Sequence, residues 1–489
     1  MVQSIQYFNE ESVSVFEDVI KKLYITPTDI AGFVQGIKEE IVKVGLMIIK
    51  ETFEEMDKMI CDSGKRTMDW IVERHDTKSL LTSLGEVTYK KTLFENKQNG
   101  EMCYLLDQIM GIEKNERMSE DAVAALLTEA VETSYRKGGE AASLSDKVSK
   151  QTVKTKIHNL RFPKKEEKIT EKKQVKFLYI EADEDHISLQ FNEKKGDIER
   201  SENGHKKNNT IEKLVYVHEG VEPEAPKSKR YRLINPHYFV SPPGAENNKN
   251  LWSDVADYIN DHYDTDHIEK IYVNSDGANW IKSGMSLLTG TVHVMDELHL
   301  TKALNRLSSH MKDTIYDVQE QLRELIKEGK KQKFQKTVTE LQEYFAENEL
   351  SKSFIESRDY ILNNWMAAKC RLSKPEGVVG SSTEGHVYHV LSKRMSTDPL
   401  GWSKTGAEKM AQLRAYRLNG GDMLELVRMQ KLPEKKKEDV SEKFFSASEI
   451  LSQEKRHHGM LGKYYDTIKH SICLQDKKKV YFQSHIWGL

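Results

Sequence analysis

From residue 175 onward the chain alternates short β-prone runs with amphipathic helical ones, and this alternation restricts the fold more than any other feature. VKFLYIEADEDHISLQF (175–191) reads as two strands around an acidic turn. After a polar stretch, KKGDIERSENGHKKNN, the run KLVYVHEGVE (213–222) reads as a third strand. LWSDVADYINDHY (251–263) carries helical apolar spacing, and HIEKIYVNSDG (267–277) is again a strand. ANWIKSGMSLL opens a helix, and TVHVMDELHL (291–300) passes from strand into helix. Helical sequence dense in Lys, Glu and Gln then fills 300–370, before GVVGSSTEGHVYHVLSKRM (377–395) resumes with a Gly/Ser turn feeding a helix.

Three strands, a helix, a strand, a helix and a strand are the order of an α/β ribonuclease-H-like core. We therefore expect such a domain over 175–430, with a helical insertion at about 300–372. In that kind of sheet the first and fourth strands are neighbours, and the last helix packs over their ends. Three acids distant in sequence would then converge: Asp183 after FLYIEA, Asp276 at the end of IYVNSD, and Glu384 at the start of the last helix. Hard carboxylate oxygens suit Mg²⁺ or Mn²⁺, and a pair of such ions activates the attacking oxygen and stabilises the leaving one in phosphoryl transfer. Two alternatives stay open: NSDG is also a common turn, and Asp185 shares a strand face with Asp183. Asp296 and His299, spaced i, i+3, can share a helix face. Arg394, ten positions after Glu384, could reach back to a phosphate or be an ordinary surface arginine.

Upstream, 1–78 is expected to be helical, with Ile37, Ile41, Val44 and Ile48 near the 3.6 period. LLTSLGEVTYKKTLFENKQNGEMCYLL (80–106) alternates around Asn99-Gly100, a hairpin signal. MSEDAVAALLTEAVETSYRKGG (118–139) reads as one helix, capped by Ser119 and closed by Gly138 and Gly139. In 140–160, Ser149 can cap a short helix with Val153 and Ile157 on its inner face. Lys150, Gln151, Lys154 and Lys156 are then left to reach DNA, as in a helix-turn-helix. Residues 145–176 hold eleven Lys or Arg against four Asp or Glu, a basic patch within a chain of net charge −3. A small helical hairpin with a solvated basic run is the alternative. The expected β-hairpin and helix-turn-helix region is thus 79–160, followed by a basic linker at 161–174 and an extension at 431–489. Four scattered cysteines without a CxxC pair fit a reducing cytoplasm, and no run is long and apolar enough for a membrane span.

LYIEADEDHISLQ, VNSDGANWIK, VMDELHLTKAL and GSSTEGHVYHVLSKRMSTDPLGWSKTGAEKMAQLRA together resemble bacterial insertion-sequence transposases of the Lre-type group, relatives of the Mutator-like DDE transposases. The likeness extends to LLTSLGEVTYKKTLF and LSDKVSKQTVKTKI. It implies a DDE triad at Asp183, Asp276 and Glu384, two Mg²⁺ or Mn²⁺ ions, and terminal inverted repeats and target DNA as partners. It also implies a homo-oligomer that holds two DNA ends together, in the cytoplasm and on the nucleoid when bound. Asp296 and His299 match the relatives' Cys-or-Asp, two residues, His motif. One departure is Leu391, where a common DDE pattern has Lys or Arg, so Lys393 or Arg394 would stand in.

Overall fold

A computed structural model describes residues 3–163, 171–204, 207–345, 352–397 and 401–431. The chain divides into two compact units, Met1–Lys156 with Met423–Leu489, and Ile157–Asp422. The greater part of the expected linker (164–170), part of DPLGWSKTGA (398–400) and the extension beyond Lys431 lie outside the described residues.

In the first unit, α1 (Val13–Ile25) packs beside α2 (Ile30–Cys61), which runs for 32 residues, roughly 48 Å. Asp29 starts α2 by accepting the Gly32 N–H at 2.9 Å, meeting one of the helix's unpaired donors. β1 (Trp70–Leu81) and β2 (Glu86–Asn96) pair antiparallel, from Trp70↔Asn96 to Leu81↔Glu86. The expected helical character up to 78 is therefore wrong from Trp70 onward. Trp70–Leu81 has a mostly exposed, charged surface and takes its conformation from the buried Val87, Tyr89 and Phe94 of its partner. The hairpin turns at Thr82–Gly85, while Asn99-Gly100 leads only into a two-residue strand, Met102–Cys103.

The expected single helix over 118–139 is two: α3 (Glu120–Glu132) and α4 (Tyr135–Ala141), where Ser134 caps the second. Gly138 and Gly139 do not end a helix. They lie within α4, where a Cβ on Gly138 would come 2.7 Å from the Ala130 Cβ and one on Gly139 2.3 Å from the Val148 carbonyl, so glycine permits close packing. Next, α5 (Lys150–His158) begins after Ser149, whose Oγ accepts the Thr152 N–H at 3.2 Å. Val153 and Ile157 are fully buried, Lys150 and Gln151 exposed, Lys154 and Lys156 partly so.

The second unit is built on a mixed five-stranded sheet. Its strands are β3 (Phe177–Ser188), β4 (Asn209–His218), β5 (His237–Ser241), β6 (Lys270–Ser275) and β7 (Thr291–Met295), in spatial order β7-β6-β3-β4-β5. β3, β6 and β7 are parallel, and β4 runs antiparallel to both its neighbours. Two expectations change here. Residues 177–188 form one continuous strand rather than two, because β4 pairs with it from Tyr179↔His218 to Ser188↔Asn209 and carries the acidic stretch. The third strand is instead the short HYFVS run, set between Pro236 and Pro242.

One face of the sheet packs Leu178, Ile180, Val215 and Val273 against Leu251, Trp252, Val255 and Ile259 of α6 (Ala245–His262). α7 (Asn279–Met285) lies against Trp252. Among the described residues after β7 come the α-helices α8 (Glu297–Ser308), α9 (Ile315–Lys327), α10 (Lys331–Phe345), α11 (Lys352–Asn363) and α12 (Trp365–Ser373). They enclose a core of their own around Leu304, Leu322, Ile326, Phe334 and Phe354. α13 (Thr383–Val387) then returns the chain to β3, followed by a wider helical turn at Tyr388–Ser392 and by α14 (Lys404–Leu418).

Candidate active site

The register of the two central parallel strands places the aspartates. Glu181 of β3 pairs with Asn274 of β6; Asp183 lies two residues further along β3 and Asp276 two residues after Asn274, which brings the two acids to neighbouring positions. Asp276 lies just past the end of β6, where its Oδ1 accepts the Ala278 N–H at 2.9 Å and its carbonyl accepts the Tyr360 hydroxyl at 2.7 Å. Gly277 turns the chain with φ +84°, and a Cβ there would come 2.5 Å from Asn364 Oδ1. The turn and the strand-end acid thus coexist in this segment.

Burial pushes the Asp183 carboxyl up to about 6; the Glu184 N–H, 2.8 Å from Oδ1, opposes this, the Asp276 charge adds to it, and His299 opposes it. Asp185, the rival, is occupied elsewhere, accepting the Ser396 hydroxyl at 2.7 Å.

A third acid borders the pair. Asp296 follows β7 and caps α8, its Oδ1 accepting the Leu298 N–H at 2.9 Å and the His299 N–H at 3.1 Å. The His299 ring Nδ1 is 3.1 Å from the same oxygen, and the Ser381 hydroxyl donates to Oδ2 at 2.6 Å. Burial opposes ionisation of Asp296, but the His299 and Ser381 hydrogen bonds outweigh it and hold the group well below the carboxylate range. That bond to Asp296 raises the His299 imidazole against the cost of burial, and the charges of Asp183 and Asp276 raise it further. Burial raises the Tyr360 phenol, and Asp276, Asp296 and Asp183 add to the effect. One phenol and one imidazole therefore feel all three aspartates.

Glu384 lies in the first turn of α13 with its side chain exposed. Among the described residues no three His, Cys, Asp or Glu side chains are gathered closely enough to hold an ion. A divalent cation takes hard carboxylate oxygens of the kind Asp183 and Asp276 carry, but the structure does not gather Glu384 with them. Arg394 is not a surface arginine. It is buried, with its guanidinium 4.9 Å from the centre of the Trp402 ring. The wide turn at Tyr388–Ser392 shifts the helical phase expected from spacing, and Arg414 donates to the His389 and Val390 carbonyls of that turn. Lys393 is exposed and Leu391 fully buried.

The residue that sequence reasoning missed is Glu181. It is fully buried, and its Oε2 accepts the Tyr216 and Thr383 hydroxyls, each at 2.6 Å, and the Ser382 N–H at 3.0 Å. Its Oε1 lies 3.5 Å from His218 Nε2. Burial pushes this carboxyl up, but His218, Thr383 and Tyr216 outweigh that and hold it below its ordinary value. Asn274 beside it receives a 2.7 Å bond from Arg371, whose guanidinium also donates to the Met295 and Val379 carbonyls. This polar layer ties the start of α13 to β3, two residues before Asp183. An acid inside the apolar run FLYIEA was the available signal; its partners come from three remote segments.

The profile of an uncharacterised protein family, UPF0236, matches residues 28–436. Several UPF0236 proteins of Caldanaerobacter subterraneus subsp. tengcongensis are similar to this chain. One, carried under eleven locus designations, is 36% identical over 428 residues, covering 87% of this chain and 85% of its own. A second, under four designations, is 36% identical with the same coverage. Among solved structures, the Drosophila P element transposase strand transfer complex aligns with 72% of this chain and 89% of its own at 9% identity; its TM-score of 0.21 carries no structural argument. No helix among the described residues is long and apolar enough to cross a membrane.

Proposed function

The chain belongs to the uncharacterised protein family UPF0236, and from that premise and the geometry of its site we propose that it is a DNA transposase of the DDE type. One observation carries the reading: Asp183 on β3 and Asp276, just past the end of the neighbouring parallel β6, lie close enough for the charge of one to raise the other. Other features support it. The mixed sheet, with its first strand beside its fourth and its second reversed, supports a ribonuclease-H-like reading of this unit. The sequence resembles Lre-type transposases, and the relatives' many loci in one bacterium are what a self-copying DNA element produces.

In this reading Asp183, Asp276 and Glu384 would be the residues to hold two Mg²⁺ or Mn²⁺ ions, which would supply charge stabilisation to the attacking and leaving oxygens of a phosphodiester. Asp296 fixes His299 beside the aspartates, where a protonated imidazole can donate to a phosphate oxygen. Lys150 and Gln151, exposed on α5, contact the terminal repeats, with Lys154 and Lys156 on its flanks. After hydrolysis at the element's end, the freed 3′-hydroxyl would attack a target phosphodiester in line, the new P–O bond forming as the target strand's own 3′-oxygen leaves, with no covalent protein intermediate.

The test uses labelled element-end DNA with Mg²⁺ or Mn²⁺. Wild type is expected to nick at the element boundary and join the 3′ end to a target plasmid, and Asp276→Asn to abolish both while keeping DNA binding. Nicking that survives in Asp276→Asn overturns the site assignment. Nicking without joined product makes the chain a nuclease instead.

A further inference from the structure

One surface of the first unit has no part in that chemistry. Along α2, Ile30, Val34, Ile37, Ile41, Val44 and Ile48 follow a strict heptad alternation of three and four residues. At 100° per residue all six fall within about 40° of one line. The neighbours of the helix cover that line only in part: α1 reaches Gly36 through Val19; Leu46, Ile49, Phe53 and Met56 pack toward the hairpin; and Ile37 and Val44 are half-buried. Ile30, Val34, Ile41 and Ile48 remain 63%, 55%, 58% and 38% exposed. Lys38, Glu39, Glu40 and Lys43, the charged residues of this segment, lie on other faces. At its start the stripe opens into an apolar hollow of about 510 Å³ that Ile30 lines together with Tyr24 and Phe33.

We propose that this stripe is a self-association seam, the α2 of one copy packing against the α2 of a second. Six β-branched residues at both apolar positions of a heptad form the pattern by which helices interlock side by side, and a stripe that matches its own spacing is complementary to itself. The area agrees. The exposed parts of Ile30, Val34, Ile41 and Ile48 amount to roughly 350–400 Å² of apolar surface. A standard stable interface buries about 800 Å² per partner, somewhat over half of it apolar, so the stripe supplies most of the apolar share of one interface. Isolated exposed hydrophobes need no explanation, but a continuous charge-free stripe about 27 Å long does.

Sedimentation of the full chain at micromolar concentration tests this. Wild type is expected at no less than twice the 56.5 kDa of one chain. Ile41→Glu is expected at single-chain mass with an unchanged circular dichroism spectrum, because Ile41 is exposed within one copy. Lys50→Glu, on the far side of α2 and also exposed, is expected to keep the wild-type mass. A wild type that sediments as one chain overturns the proposal, as does an Ile41→Glu variant of undiminished mass or a Lys50→Glu variant that dissociates. None of these outcomes depends on nicking activity, so the seam and the transposase reading fail separately.

Discussion

Replacing Glu181 by glutamine removes one charge and one acceptor from a sealed polar layer while nearly keeping the side chain's shape. In wild type Oε2 accepts the Tyr216 and Thr383 hydroxyls and the Ser382 N–H, and Oε1 faces His218 Nε2 and the Asn274 amide, each at 3.5 Å. Glutamine can point its oxygen at the hydroxyls only by turning its NH₂ toward that amide and His218. Reversing it strands the two shortest bonds. Charge-assisted bonds are worth about 1.5–3 kcal/mol each and neutral ones about 1, so weakening two or three of them costs roughly 3 kcal/mol. The wild-type carboxyl lies below its ordinary value in the folded chain, so its stabilisation is present above the ordinary value of 4.5 and fades as pH falls through the folded one. Urea unfolding at neutral pH should show the loss at an unchanged slope, and the gap between variant and wild type should close in acid. Amide exchange should quicken at Ser382–Val387 but not in α6, because the start of α13 is bound to this carboxylate and α6 is not. A cost under about 1 kcal/mol at neutral pH would refute the idea that Glu181 anchors α13.

Two further outcomes follow from single positions. Glu212 is buried, which pushes its carboxyl up to about 8, with the Glu408 charge adding to the shift. Its favourable state is the protonated one, complete below 4.5 and lost as pH rises through about 8, so Glu212→Gln should match wild type near or below pH 4 and be more stable by a few kcal/mol at pH 9. An equal melting temperature across that range would contradict it. Gly277→Ala must place a Cβ 2.5 Å from Asn364 Oδ1 at φ +84°, and Asn364 is held by a 3.0 Å bond to the Tyr360 carbonyl. A loss of about 2–3 kcal/mol in chemical denaturation is expected, with a neutral result showing that the turn relaxes freely.

Local pattern carried much of this molecule. Apolar periodicity and a capping serine were enough to place α5 with Val153 and Ile157 inward, because a short helix's buried face is written in its own residues. Alternating strands and helices announced the mixed α/β unit, and a strand-end acid followed by glycine marked Asp276. Wherever the deciding partner was distant, the sequence was silent. Trp70–Leu81 is a strand because β2 pairs with it, and 177–188 stays extended through its acids because β4 does the same. Gly138 and Gly139 looked like a helix end, yet the reason for them is a neighbouring backbone. Arg394 went to the Trp402 ring because one wide turn rotated it there. Glu181 is the plainest case: a carboxylate can lie fully buried only when donors surround it, and those donors lie about 35 and 200 residues away along the chain, brought together only by folding.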